Sequence, residues 1–300
     1  MRLPARSDRL SGDPAINLRF WGVRGSIACG GPDTVRYGGN TACIELRCGS
    51  RLVVLDAGTG LRPLGNALAR AGTVDADLLL THTHLDHCIG LPFFTPMFDA
   101  RNRVRIWAGH LPPSTGIRDV LALMMAPPLF PVPPDIFRAD IAYCDFVAGA
   151  SLRLPPASAG HGEVEVRTLP LAHPDGATGY RIEHAGRSAC YLSDLEHQAA
   201  GPTPALVDFV RDADVVVYDA MYTDEQFEGR VGWGHSTWQA GMRLADAANA
   251  GSYIVFHHDP EHDDAQMDAI ALQLARARPG TAPSGLPRAL VAREGIALQW

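Results

Sequence analysis

Seven consecutive residues, Thr81-His82-Thr83-His84-Leu85-Asp86-His87, carry three histidines and an aspartate. They follow directly on 76–81 (ADLLLT), an apolar run of strand length. In an extended segment residues i and i+2 face the same side, so His82 and His84 can grip one cation together. A turn after them lets Asp86 and His87 face a second cation beside the first. Imidazole nitrogen and carboxylate oxygen suit zinc and similar borderline divalent ions. A fold that hosts this run must deliver a strand end to a polar cleft. It must also bring more ligands there, because one loop cannot fill two coordination spheres.

The chain offers them in the expected kind of place. Apolar runs at 51–56 (RLVVLD), 164–169, 188–193 (SACYLS), 214–218 (DVVVY) and 253–256 read as buried strands bounded by turn residues. His173 follows the second of these, Asp194 the third, and His257 the last. Residues 291–298 read as a final hairpin around 293–295. Helical patterns alternate with the strands. One covers 60–71. A second covers 236–250, opened by the capping box Ser236-x-x-Gln239 and closed before Gly251. A third carries Met267, Ile270, Ala271 and Leu274 at amphipathic spacing. Strands interleaved with helices predict layered α/β architecture. His257 and His258 are adjacent and point opposite ways if the strand persists, so either can be the last ligand. His262, at an acidic helix start, reads as exposed.

One stretch differs. Residues 111–160 are dense in proline (Pro112, Pro113, Pro127, Pro128, Pro131, Pro133, Pro134, Pro155, Pro156) and also carry Met124, Met125, Leu129, Phe130 and Phe137. Proline breaks regular ladders while the apolar side chains still need cover. The stretch reads as an insertion packed over the core, as a wall or lid of the active site, a connector or a dimer contact. Residues 1–15 read as a polar tail and 16–300 as a single domain.

The HTHLDH run, preceded by Asp56-x-Gly58-x-Gly60 and followed in order by His173, Asp194 and His257, resembles the metallo-β-lactamase superfamily over roughly residues 17–300. The resemblance implies a four-layer αββα sandwich. It implies one metal on His82, His84 and His173, a second on Asp86, His87 and His257, Asp194 as the bridge, and Asp56 orienting a ligand from behind. Relatives carry a histidine two residues before an Asp-Pro or Ser-Pro pair, which favours His257 over His258. Two metals about 3.5–4 Å apart can hold a hydroxide as nucleophile at neutral pH. Zinc, manganese and iron all accept this donor set.

A second constellation narrows the reaction. Gly232-Trp233-Gly234-His235-Ser236-Thr237 and Asp219-Ala220-Met221-Tyr222 resemble the HST motif and acidic segment of the phosphodiesterase branch that includes ribonuclease Z. Here Asp219 stands for the glutamate and Met221-Tyr222 for Thr-Phe. The resemblance makes His235 a proton or hydrogen-bond donor held by Asp219, with Asp86 the third candidate catalytic residue beside its ligand role. The glycine-rich segment 20–43 resembles the opening of the same branch and offers Arg24 or Ser26 to a phosphate.

Several observations bound the substrate and setting. Ribonuclease Z enzymes that grip transfer RNA through a protruding arm carry it between the third metal histidine and the bridging aspartate. Residues 173–194 leave room only for a loop, two strands and a turn. The net charge of −7 also argues against a large polyanion. The expectation is therefore a small or cyclic phosphodiester, with the proline-rich stretch as an apolar wall. A carboxylic ester, lactone or thioester hydrolase is the alternative, as is an armless RNA 3′-processing endonuclease. Six cysteines without a CxxC pair argue against a disulfide scaffold and a thiolate zinc site. With no apolar leader or membrane span, a cytoplasmic setting is expected. Related phosphodiesterases commonly dimerise, so the resemblance also brings a homodimer into view.

Overall fold

The structure, a computed structural model, describes residues 16–154 and 163–300. The polar tail, Pro155 and Pro156 lie outside the described residues. Two seven-stranded mixed sheets stack face to face. The first contains β1 (Ile16–Gly22), β2 (Cys43–Cys48), β3 (Arg51–Leu55), β4 (Asp75–Leu80), β5 (Arg103–Ala108), β6 (Asp140–Asp145) and, against β1, β14 (Ala297–Gln299). The second contains β7 (Ser151–Leu154), β8 (Val164–Leu171), β9 (Ala177–His184), β10 (Arg187–Leu192), β11 (Val215–Asp219), β12 (Ser252–Phe256) and β13 (Ala289–Val291). Strands β3 to β6 run parallel, as do β10 to β13.

Three apolar layers fill the spaces between elements. Between the sheets lie Phe20, Ile44, Val53, Leu79, Tyr191, Val217 and Phe256, side chains from alternate strand positions. Outside the first sheet, α1 (Leu61–Ala71) and α2 (Ile117–Met124) bury Leu61, Leu64, Ile117 and Leu121 against Leu78 and Ile106. Outside the second, α3 (Pro204–Val210), α4 (Trp238–Ala247) and α5 (Asp264–Ala277) bury Phe209, Leu244, Met267 and Leu274 against Val216 and Val255. This is the expected αββα order. The central strands are apolar on both faces because both faces are covered.

Several expectations are corrected. Residues 291–298 form no hairpin: β13 pairs with β12 in the second sheet, and β14 pairs with β1 in the first. The turn at Gly295, whose φ is 84°, passes the chain from one sheet to the other. The helix expected at 236–250 starts later and ends earlier, at Trp238–Ala247, and Thr237 rather than Ser236 caps it by accepting from the Ala240 N–H at 3.0 Å. Ser236 is instead tied into the interior by the Tyr218 hydroxyl and His197. The proline-rich stretch packs over the core and also contributes strands to it. It supplies β6 and β7, the edge strands of the two sheets, and its prolines among the described residues fall outside both strands. Its Met124, Met125, Phe130 and Phe137 pack on the outer layer of the first sheet.

Candidate metal centre

Every candidate ligand lies just beyond the C-terminal end of a strand. Asp56 follows β3, the 82–87 run follows β4, His173 follows β8, Asp194 follows β10, and His257 follows β12. Three of these positions, Asp56, Asp194 and His257, have φ of 60°, 61° and 60°. Left-handed backbone at a non-glycine residue is uncommon and costs roughly 1–3 kcal/mol, so the surrounding packing must hold it. Its effect is to turn each side chain sharply off the strand axis. Glycines make room for the rings. A Cβ on Gly25 would come within 2.6 Å of the His257 ring, and one on Gly234 within 2.5 Å of His173 Nδ1.

The ligating atoms converge as two triads. His82, His84 and His173 form one, and Asp86, His87 and His257 the other. His84 Nδ1 and His173 Nε2 lie 3.1 Å apart, as do His87 Nε2 and His257 Nε2. Asp194 stands between the triads. Its Oδ1 is 3.8 Å from His82 Nε2 and 3.7 Å from His173 Nε2, while its Oδ2 is 3.0 Å from His87 Nε2 and 3.3 Å from His257 Nε2. Metal–ligand bonds of about 2.0–2.1 Å at tetrahedral angles put neighbouring donors about 3.3 Å apart. The observed spacings bracket that value.

Hydrogen bonds behind the rings fix which nitrogen faces inward. The Thr81 hydroxyl donates to Asp56, so His82 Nδ1–H donates to Thr81 Oγ1 at 3.0 Å, and His82 Nε2 is left buried with no partner. His87 Nδ1–H donates to Asp56 Oδ2 at 2.8 Å. His173 Nδ1–H donates to the Gly234 carbonyl at 2.8 Å. Each inner nitrogen therefore presents a lone pair to its neighbours, an arrangement that a cation satisfies and a hydrogen-bond network does not.

The charge state points the same way. Burial opposes ionisation of Asp86 and Asp194, but the surrounding histidines outweigh it and hold both carboxyls below their ordinary range. Burial lowers His82 and His173, keeping them neutral as ligands must be. At His87 burial is outweighed by Asp194, Asp86 and Asp56, which draw positive charge to that spot. The buried His/Asp set thus fits a pair of divalent cations.

His257 sits in the cluster and His258 does not. The strand ends at Phe256, and His258 is buried with its Nε2–H donating to the Ala292 carbonyl at 2.8 Å. Burial pushes its pKa down to about 3. His235 Nδ1 is 2.9 Å from Asp219 Oδ2 and 3.6 Å from Asp194 Oδ1, so the pair adjoins the metal ligands. Burial would lower the His235 pKa, but Asp219, by charge and hydrogen bond, raises it to about 9. Asp86 accepts from the Ser26 N–H at 2.8 Å.

Two expected positions change. Arg24 cannot reach a ligand: it is fully buried, with Nε donating to the Gly38 carbonyl and one terminal nitrogen to the carbonyls of Asp259 and His262. His262 is buried rather than exposed, its ring against Gln226. The sequence reading also missed residues. Tyr191, from the second sheet, donates to Asp56 Oδ2 at 2.7 Å across the sandwich. Glu196 Oε2 accepts from the N–H groups of Gly232 at 2.7 Å and Gly234 at 2.9 Å, holding the loop that carries the His173 acceptor and leads into His235. The only sequence signal for that loop is its paired glycines, whose φ values are 89° and 84°.

An αββα sandwich with a buried His/Asp cluster at one edge defines a metal-dependent hydrolase. The sequence model of the β-lactamase superfamily domain matches residues 51–258, and the chain belongs to that family. A curated ribonuclease Z of Haloarcula marismortui is 22% identical over 291 residues, covering 81% of this chain and 86% of the relative. Among solved structures, the metallo-β-lactamase fold protein YhfI of Bacillus subtilis superposes with a TM-score of 0.66 at 15% identity, covering 95% of this chain and 100% of that one. A diphosphatase of the PhnP family gives 0.66 at 18% identity, covering 95% and 98%. At these identities the two structures show a shared fold. No helix among the described residues is long and apolar enough to cross a membrane, and the six cysteines are free.

Proposed function

We propose that the chain is a phosphodiesterase acting on small or cyclic phosphodiesters. The observation that carries this reading is the His235–Asp219 pair, 2.9 Å between Nδ1 and Oδ2 and within 4 Å of the bridging Asp194. When bound, two divalent cations supply Lewis acidity and lower the pKa of water at the site. The chain's own residues then do the rest. His82, His84 and His173 would hold one cation and Asp86, His87 and His257 the other, with Asp194 available to both. Asp86, fixed by the Ser26 N–H, is placed to accept a proton or hydrogen bond beside its ligand role. The carboxylate of Asp219 accepts from Nδ1–H of His235 and raises its pKa to about 9, so near neutral pH Nε2 also carries a proton that the ring can give to a phosphate oxygen or departing alkoxide. A carboxylic ester lacks the anionic non-bridging oxygens that such a cationic donor would meet on a phosphodiester.

The ribonuclease Z relative supports phosphodiester chemistry and makes RNA the second candidate, which weakens the argument from net charge. Against a long RNA stands the connection from His173 to Asp194. It is filled by a short loop and the β9–β10 hairpin, with no projecting element. Steady-state assays of zinc- and manganese-loaded protein test the proposal. Bis-p-nitrophenyl phosphate and cyclic nucleotides should be turned over well above lactones and thioesters. Turnover of the carboxylic substrates alone overturns it, and preferential cleavage of precursor RNA transfers it to the second candidate.

A further inference from the structure

A cavity of about 450 Å³ opens beside His235, lined by Ser26, Pro174, Met221, Tyr222, Arg230 and Trp233, with Asp259, Pro260 and Glu261 on its remaining side. That volume lies within the range of small-ligand sites. No residue of the proline-rich stretch lines it, so the apolar wall expected there comes from another part of the chain. Trp233 is 61% exposed. Its backbone is held: its two neighbours are the glycines clamped by Glu196, and its main-chain N–H donates to the Arg230 carbonyl at 3.1 Å. An exposed aromatic ring carried on a clamped loop and lining the same cavity as His235 offers a stacking face.

The polar groups around it select the ligand. The Arg230 guanidinium lies over the Tyr222 ring at 4.8 Å from the centroid and near the Trp233 ring at 5.8 Å. Its one hydrogen bond within the protein is a long one, 3.4 Å to the Gln226 carbonyl, and among the described residues it has no carboxylate partner. Its N–H groups are thus available to acceptors. Asp259 and Glu261 also line the cavity, and Asp259 Oδ1 accepts from the Glu261 N–H at 2.9 Å. A second phosphate would meet Arg230 but be repelled by that acidic side. A nucleobase satisfies every wall, with a π-face for Trp233, ring nitrogens or carbonyls for Arg230, and exocyclic amines for the carboxylates.

We infer that this cavity receives the nucleobase of a nucleoside-bearing phosphodiester, with Trp233 as the stacking surface and Arg230 as the specificity-determining donor. The inference rests on the phosphodiesterase reading, because it places the base on the side of the scissile group where His235 stands. Two five-membered cyclic phosphodiesters that differ in the base provide the test: adenosine 2′,3′-cyclic phosphate and glycerol 1,2-cyclic phosphate. In metal-loaded wild type kcat/KM should favour the adenosine ester. Trp233→Ala should cut that preference about tenfold, mainly through KM, and Arg230→Ala should cut it further. Binding of adenosine monophosphate, measured by calorimetry, should weaken about tenfold in Trp233→Ala.

An unchanged preference in both variants, or no binding of adenosine monophosphate to wild type, overturns the inference. Binding that depends on Trp233 in a protein that hydrolyses no phosphodiester, bis-p-nitrophenyl phosphate included, upholds the base site and overturns the phosphodiesterase reading instead.

Discussion

Asp219 holds His235 from behind: Oδ2 and Nδ1 lie 2.9 Å apart, and Asp219 is fully buried. A carboxylate without solvent contact fixes both the tautomer and the orientation of the ring it faces. His235→Ala is expected to lower kcat on phosphodiesters by roughly 10²–10⁴-fold while two metals per chain remain. Asp219→Asn should cost on the order of 10²–10⁴-fold too, by permitting the wrong tautomer. Kinetics paired with elemental analysis check this. Activity within twofold of wild type in His235→Ala would remove the imidazole from the mechanism.

The Glu196 clamp makes a separate prediction. Its Oε2 accepts two backbone N–H groups of the loop that ends at His235. Glu196→Ala should free that loop, lower kcat about tenfold, and destabilise the fold by about 1–2 kcal/mol, a value reduced for partial exposure. Glu196→Gln keeps an acceptor oxygen in place and should recover most of the activity. Equal losses in both variants would show that the charge, rather than the hydrogen bonds, matters.

Asp56 gathers His87, Thr81 and Tyr191 at the floor of the site. Asp56→Asn is expected to weaken metal affinity roughly 10–100-fold by loosening the His87 ring. Tyr191→Phe, which leaves the other bonds to Asp56 in place, should have a smaller effect in the same direction. Competition with a calibrated chelator measures both. An unaltered affinity in Asp56→Asn would make its contact with His87 incidental.

Arg24 is predicted to act on stability alone. Arg24→Met strips donors from the carbonyls of Gly38, Asp259 and His262, and should cost about 2–4 kcal/mol. Thermal unfolding of the metal-loaded protein reports it. An unshifted Tm with impaired binding of inorganic phosphate would restore the phosphate-contact role that the burial of Arg24 denies.

Much of the cluster was legible because metal chemistry leaves local marks. Three histidines and an aspartate at a strand end, and single ligands after later strands, can be recognised without a structure. What was not legible depends on backbone handedness or on contacts across the sandwich. Nothing at Asp56, Asp194 or His257 announces a φ near 60°, yet that conformation decides that His257, and not His258, turns into the site. The Tyr191–Asp56 bond joins strands of different sheets, 135 positions apart. The sheet exchange at Gly295 looks like a hairpin because both read as strand, glycine turn and strand. The burial of Arg24 and His262 leaves no mark in the sequence, since Arg24 is held by backbone carbonyls and the His262 ring by Gln226, 36 positions away. Trp233 lies between two glycines in a polar loop, where composition alone suggests a simple turn.

The proposed chemistry requires two cations, one in each triad. Protein stripped with chelator, reloaded with zinc or manganese and freed of excess ion should contain two metals per chain by mass spectrometry. His257→Ala should lower that number to about one, and His258→Ala should leave it at two. Fewer than one metal per wild-type chain, or loss of a metal in His258→Ala with none lost in His257→Ala, would contradict the assignment of the site.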